Sequence, residues 1–197
     1  RGDKARGAAI LAGRFTLVGE TLQIQPGDSV WDRPAPSRRF AESLQVGGKR
    51  RIVKLQPRQP TEEQLDWAEE HAGGDERNQN RWGTNGIWSR EWLNLARMNE
   101  GEPEVPCELQ AIRLGETAFA SNPGEFFCSL GLGIKRGSAF ENTFVVELAN
   151  GSIGYVPTED AYEGGYESQM APSSKLVPGS GETIVAETIE LLRELRG

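Results

Sequence analysis

The sequence predicts an α/β protein in which a mixed β-sheet is flanked by helices, and three observations support this class. Two short apolar runs, residues 117–120 and 143–149, each lead into a polar, glycine-rich turn. Alternating apolar and polar residues precede them at 108–113, as in a strand. A helical stripe near the end of the chain consists of Ile184, Val185, Ile189, Leu192 and Leu195. Because ligands of open α/β sheets bind beyond the carboxyl ends of strands, we expect a site at the two turns.

The length and charge of the chain limit what it can be. Its 197 residues suit one large domain, and we expect a single α/β domain over residues 1–197. The net charge of −7 argues against nucleic acid as a partner, because few Lys and Arg side chains are available to neutralise phosphates. No run approaches the roughly 20 apolar residues that a membrane helix needs, so we expect no transmembrane segment.

A first helix is expected from Asp3 to about Gln23. Its apolar stripe is spaced i, i+4, i+7 and i+11 and consists of Leu11, Phe15, Val18 and Leu22. Several glycines weaken this helix, so only packing against a sheet would hold it.

Two alternating runs follow, at residues 40–46 and 51–55, with Gly47-Gly48 between them. Two glycines between alternating runs are typical of a β-hairpin. The many charges on the outward positions favour an exposed or edge hairpin.

Residues 57–104 predict a tryptophan-rich helical excursion between strands. Thr61 and Gln64 have the spacing of a capping box, so we expect a helix from Glu62 to about Ala72. A second helix is expected over residues 87–98.

Two features of this excursion have alternative interpretations. The tryptophans are interpreted as a compact core, with a roof over a ligand cleft as the alternative; they are Trp67, Trp82, Trp88 and Trp92. His71, the only histidine, is interpreted as a solvated residue near a helix end rather than as a metal ligand.

The clearest hairpin in the sequence joins residues 108–113 to 118–120 through a tight turn. The chain then reaches Glu125, which we place in the first turn of a helix ending near Arg136. There its charge would complement the helix dipole.

The remainder predicts one strand and two helices. The dense apolar run at 143–149 is typical of a central buried strand. Thr158 is expected to cap a short helix over residues 159–162, and Gly181 to open the final helix.

Cys107 and Cys128 are the only cysteines. Their apolar neighbours predict two reduced thiols near the core, and a disulfide is the alternative.

Three motifs between residues 123 and 167 make the pattern specific. They are Pro-Gly-Glu-Phe from Pro123, Asn-Gly-Ser-Ile-Gly-Tyr-Val-Pro-Thr from Asn150, and Gly-Gly-Tyr-Glu from Gly164. This arrangement resembles the neutral/alkaline, non-lysosomal ceramidase family, and especially its shorter bacterial ceramidase-like members. The resemblance is strongest from Cys107 to Leu195.

The resemblance implies a zinc-dependent amidase that hydrolyses the N-acyl bond of ceramide to a fatty acid and sphingosine. In the family, Zn²⁺ is held by two histidines of the N-terminal half and by a glutamate and a tyrosine of the C-terminal half. The glutamate matches Glu125 and the tyrosine matches Tyr155. The family's histidine motifs and catalytic serine find no match after Arg1, so no catalytic residue is assigned.

Further residues are expected to line the substrate site or to support the metal ligands. They are Gly124, Tyr162, Tyr166 and Glu167. The glycine is also interpreted as a residue of backbone geometry.

These matches predict the C-terminal half of a ceramidase-like catalytic domain, whose partners are a lipid amide substrate and the missing N-terminal half. Because two of four ligands do not make a site, the 197 residues alone are expected to be inactive. A non-catalytic binding or scaffold module that keeps the fold is the alternative. Localisation is not predicted, since any export signal would precede Arg1.

Overall fold

The structure is a computed structural model of the chain. It describes residues 14–18, 21–25, 44–73, 79–80 and 83–197. The chain divides into two compact units, residues 1–43 and 44–197. The single α/β domain expected over residues 1–197 stays a prediction.

The first unit contains an antiparallel pair of strands, β1 (Arg14–Val18) and β2 (Thr21–Gln25). Phe15 is paired with Ile24, and Leu17 with Leu22. The helix predicted up to Gln23 is therefore wrong for these residues. Phe15 and Leu17 are two residues apart, as are Leu22 and Ile24, and the strand register sets one pair opposite the other. The other residues of that predicted helix lie outside the described part of the chain.

The second unit has the following elements among its described residues. In chain order they are β3 (Val46–Leu55), α1 (Glu62–His71), β4 (Gln79–Asn80), β5 (Gly83–Thr84), α2 (Asn85–Gly101), β6 (Val105–Leu114), β7 (Thr117–Ser121), β8 (Gly124–Phe126), α3 (Cys128–Gly137), β9 (Asn142–Val146), β10 (Gly154–Val156), a 3₁₀-helix (Glu159–Glu163) and α4 (Ser180–Arg196).

A mixed sheet organises this unit. Its strands lie in the order β3-β6-β7-β9, with antiparallel pairing at the first two contacts and parallel pairing between β7 and β9. Helix α4 packs on β3, β6 and β7, and α3 packs on α4 and β9. The predicted α/β class, a mixed sheet flanked by helices, is confirmed.

The hydrophobic core lies between the sheet and these two helices. The alternate residues of β6 are buried, and they are Val105, Cys107, Leu109 and Ala111. They share one buried cluster with Ile134 of α3 and with Ile184 and Leu192 of α4. Burial of each large aliphatic side chain contributes about 1.5–3 kcal/mol, so this layer holds α3 and α4 on the sheet.

Two strand predictions are wrong. Gly47 and Gly48 do not form a hairpin, because both lie inside β3 and pair along β6. The apolar run that was predicted to be a central buried strand belongs to β9, which is an edge strand of the sheet. Phe144 of this strand is 53% exposed. Apolar composition alone does not distinguish a central strand from an edge strand with one uncovered face. Residues 40–43 lie outside the described part of the chain.

The helical excursion begins as predicted. The Thr61 amide donates to Gln64 Oε1 at 2.9 Å and the Gln64 amide donates to Thr61 Oγ1 at 3.2 Å, which confirms the capping box. Trp67, Trp88 and Trp92 are half-buried, and the rings of Trp67 and Trp92 contact each other with centroids 5.5 Å apart. Ala68 and Leu95 are fully buried, so the compact tryptophan core stays a prediction. Trp82 lies outside the described residues.

The hairpin of β6 and β7 is confirmed, and Gly115 has the positive φ of 61° that its tight turn requires. Both cysteines are free thiols, as predicted, and Cys107 is buried. Cys128 is exposed, so the prediction that it lies near the core is wrong. Within the described ranges, no helix is long and apolar enough to cross a membrane.

Candidate functional site

The site predicted from sequence depends on two short parallel strands. β8 and β10 pair directly, and their register places Glu125 opposite Tyr155. Partners in such a register project to the same side of a sheet, and neighbouring strands lie roughly 4.8 Å apart. The carboxylate and the phenol are therefore neighbours on one face.

Both side chains line an open cleft of about 350 Å³. The residues that line it are Glu125, Phe126, Phe127, Glu147, Leu148, Tyr155 and Glu167. Three carboxylates and one phenol thus share a wall with three apolar side chains. Such a surface suits a cation or a polar group attached to an apolar chain.

The chain before β8 explains why Glu125 lies there. Asn122 is buried, and its Oδ1 accepts a hydrogen bond from the Gly124 amide at 2.9 Å. The Pro123 carbonyl accepts from the Ile153 amide at 2.9 Å, which ties the two strand entrances together. A Cβ on Gly124 would lie 2.5 Å from Val156 Cγ2, so Gly124 serves close packing of the strands.

Glu125 is not in the first turn of a helix, so that prediction is wrong. It is the middle residue of β8, and α3 begins three residues later at Cys128. The pairing continues past Phe126, since the Phe127 amide donates to the Val156 carbonyl at 3.2 Å. The strand partner, rather than a helix dipole, sets the position of this carboxylate.

Negative charge within the cleft raises the pKa of the Tyr155 phenol. The Glu125 carboxylate raises the pKa of Tyr155 above its ordinary value of 10.0, and desolvation, Tyr166 and Glu167 raise it further. The phenol therefore keeps its proton at neutral pH unless a cation offsets these negative charges.

The structure brings two of the four supporting residues to this cleft. Glu167 lines it directly. The ring of Tyr166 contacts the ring of Tyr155 edge-on, with centroids 6.1 Å apart.

Tyr162 is not brought to the cleft. Its hydroxyl donates to the Leu176 carbonyl at 2.9 Å, and the Arg58 guanidinium lies 5.3 Å from its ring centroid. Burial raises the pKa of Tyr162, and Arg58 opposes this rise. The hydroxyl of Tyr162 is thus used to hold the segment around Leu176.

Glu147 is a cleft residue that the sequence analysis missed. Its Oε2 accepts a hydrogen bond from the Phe126 amide at 3.1 Å, so the carboxylate is fixed beside Glu125. Its position directly after β9 was the available signal, because polar residues at strand ends commonly face a site.

The donors present fit part of a metal site. A carboxylate is a common oxygen ligand of Zn²⁺, so Glu125 fits such a site. A tyrosine is a rarer ligand and would bind as the phenolate, so Tyr155 would have to lose its proton to serve beside Glu125. Across the described ranges, no group of three His, Cys, Asp or Glu side chains is close enough to hold a metal ion. His71 does not line the cleft; it is half-buried, its Nδ1 lies 2.7 Å from the Trp67 carbonyl oxygen, and its ring stacks on Trp67.

No family model matches the chain, and no curated protein matches it in sequence. A structure titled "Ceramidase complexed with C2" is similar at 22% identity and a TM-score of 0.41, over 48% of this chain and 15% of that chain. The neutral ceramidase from Pseudomonas aeruginosa is similar at 16% identity and a TM-score of 0.48, over 77% of this chain and 28% of that chain. The chain thus spans less than a third of either ceramidase.

Proposed function

We propose that this chain is part of a zinc-dependent amide hydrolase of the neutral ceramidase type. The single observation that supports this most is the register pair of Glu125 and Tyr155 at one cleft. These are the two positions that the ceramidase-like motifs match to metal ligands, and they come from separate motifs. Their adjacency is what a shared cation requires.

The proposed ligands are one carboxylate and one phenol oxygen of this chain. Bound zinc would polarise the amide carbonyl of a substrate and lower the pKa of a coordinated water to roughly 7. Glu125 supplies negative charge to such a site, while the Glu147 carboxylate is kept in place by the Phe126 amide. The apolar side chains of Phe126, Phe127 and Leu148 offer a surface for the acyl part of an N-acyl amide.

The proposal requires ligands beyond these two. The resemblance implies two histidines that no residue of this sequence matches, and the chain spans less than a third of the ceramidases it resembles. We therefore expect the 197 residues alone to bind Zn²⁺ weakly and to be inactive. Amide hydrolysis by the isolated chain would contradict this part of the proposal.

The test uses the longest protein that the gene encodes, loaded with Zn²⁺ and supplied with a fluorogenic N-acylsphingosine. Glu125→Gln and Tyr155→Phe are each expected to reduce kcat/KM by at least about 100-fold, since each removes a ligand. The matched control is Tyr162→Phe, which also removes a phenol hydroxyl but one that is bonded to Leu176 outside the cleft. Its kcat/KM should stay within about threefold of the parent.

Two outcomes would overturn the proposal. One is full activity of the Glu125→Gln variant. The other is binding of the amide without turnover in the zinc-loaded parent protein, which would favour the non-catalytic module instead.

A further inference from the structure

Three aromatic rings from three separate segments form a continuous series that ends at the cleft. Trp88 of α2 contacts Tyr166 with ring centroids 6.3 Å apart and an interplanar angle of 62°. Tyr166 in turn contacts Tyr155 with centroids 6.1 Å apart and an angle of 74°. Both contacts have the edge-on geometry that aromatic quadrupoles favour.

We propose that Tyr166 and Trp88 are positioning residues that hold the Tyr155 ring beside Glu125. That Tyr155 is a metal ligand rests on the proposed function. That Tyr166 and Trp88 restrict the orientation of the Tyr155 ring does not depend on it. Tyr166 was expected from the sequence to line the substrate site or to support the metal ligands, and its ring contact with Tyr155 now gives it a specific role. No such expectation existed for Trp88, which lies in the helical excursion, far from the motifs in sequence.

The surroundings of Tyr155 explain why its ring needs such support. Its backbone is fixed by β8 on one side and by the Ser173 carbonyl, which accepts from the Tyr155 amide at 2.8 Å. The side chain, however, lies at an open cleft and is only half-buried. The backbone leaves more than one staggered χ1 rotamer open, and the edge-on contact with Tyr166 favours the rotamer in which the ring lies beside Glu125.

Tyr166 is itself held in place from two directions. Its carbonyl accepts from the Gln169 amide at 3.2 Å, and Ser168 Oγ donates to the Gly165 carbonyl at 3.2 Å. Arg58 donates to the Ser168 carbonyl at 2.7 Å, which anchors this turn to the body of the unit. Trp88 contacts the ring from the side of α2.

A plain surface role for Tyr166 makes a different prediction. Its side chain is 52% exposed, so replacement should cost little stability. If the ring merely covers the surface, Leu would replace it without effect on Tyr155. If the ring positions Tyr155, Phe should preserve the rotamer and Leu should not.

The experiment compares Tyr166→Phe with Tyr166→Leu by NMR, without metal. The χ1 rotamer of Tyr155 is measured from three-bond couplings, and its signals are readily assigned because the chain has three tyrosines. One dominant rotamer is expected in the parent and in Tyr166→Phe, and averaging over rotamers in Tyr166→Leu. Equal rotamer populations in the Phe and Leu variants would overturn the proposal. Should Tyr166→Leu fail to fold, Trp88→Phe against Trp88→Leu makes the same comparison.

Zn²⁺ affinity of the longest encoded protein then separates the two proposals. Tyr166→Leu is expected to bind Zn²⁺ about tenfold more weakly than Tyr166→Phe, as is typical when a group supporting a ligand is lost. A rotamer change in a protein that binds no Zn²⁺ would leave the positioning role intact and contradict the proposed function. Equal Tyr155 rotamer populations in the two variants of a protein that binds Zn²⁺ would contradict the positioning role and leave the proposed function intact.

Discussion

The Ser173 carbonyl accepts a hydrogen bond from the Tyr155 amide at 2.8 Å and lies directly over the preceding residue, Gly154. A Cβ on Gly154 would be 2.2 Å from that carbonyl oxygen, and the glycine has a positive φ of 82°. Only glycine tolerates both conditions at low energy. The contact fixes β10, and with it Tyr155, against the segment around Ser173.

Replacing Gly154 with Ala should therefore lower the free energy of unfolding by about 2–4 kcal/mol, because strain and a backbone clash coincide. Urea unfolding followed by circular dichroism measures this loss. Gly164→Ala is the control, since Gly164 has an extended φ of 166° and nothing lies within 4 Å of its added Cβ. Equal stability of the two variants would show that β10 does not need Gly154.

Glu125→Gln should lower the pKa of Tyr155. The carboxylate is the largest cause of the raised pKa because its negative charge disfavours the phenolate, and the neutral amide removes that charge. Titration of tyrosine labelled with ¹³C at Cζ follows each phenol separately.

A control for this titration lies in the same cleft. Glu147→Gln also removes a carboxylate, but Glu147 is not among the groups that raise the pKa of Tyr155. It should change that pKa less than Glu125→Gln does. If the Glu125 variant titrates like the parent, the two side chains do not lie together in solution.

The stability of the chain should fall as the pH rises above about 9. Burial raises the pKa of the Cys107 thiol from 9.0 to about 12, so the folded chain retains a proton that the unfolded chain loses. The stability that this thiol contributes is complete below the lower pKa and declines towards the higher one.

The thiol variants isolate this contribution. Between roughly pH 8 and roughly pH 10.5, the Cys107→Ala variant should lose about 2 kcal/mol less stability than the parent. Cys128→Ala should follow the parent, since Cys128 is exposed. Identical pH dependence of all three proteins in urea unfolding would disprove a buried Cys107.

Thr61→Ala should reduce the free energy of unfolding by about 1 kcal/mol, because the Gln64 amide loses its side-chain acceptor at the start of α1. Thr61→Ser keeps the hydroxyl and should stay within about 0.5 kcal/mol of the parent. Chemical unfolding curves of the two variants are compared. A serine variant as unstable as the alanine variant would mean that the hydroxyl does not cap the helix.

Features set by local chemistry were predictable from the sequence. The capping box of Thr61 and Gln64 satisfies its own donors within four residues, and Gly115 allows the tight turn between β6 and β7. The neighbourhood of Glu125 and Tyr155 was also expected, because each lies in a glycine-rich turn that follows a strand-like run. Whether they bind metal stays a prediction.

Features set by tertiary pairing were not predictable. Phe15 and Leu22 fit either period, and only the partner strand decides between them. Gly47 and Gly48 resemble a turn, yet the long pairing with β6 keeps them extended. Glu125 became a strand residue because β10, thirty positions later at residue 155, supplies its partner. The contact between Trp88 and Tyr166 also joins segments that no local pattern connects.

Because the cleft is built on the pairing of β8 with β10, a molecule bound in the cleft should stabilise the folded chain. Each strand has only three residues, so few backbone bonds hold the two together. A molecule that contacts both Glu125 and Tyr155 binds the folded chain alone, and at 100 times its dissociation constant it adds about 2.7 kcal/mol of stability. Thermal-shift screening of divalent cations and amphiphilic amides can therefore detect an occupant of the cleft before any turnover is known.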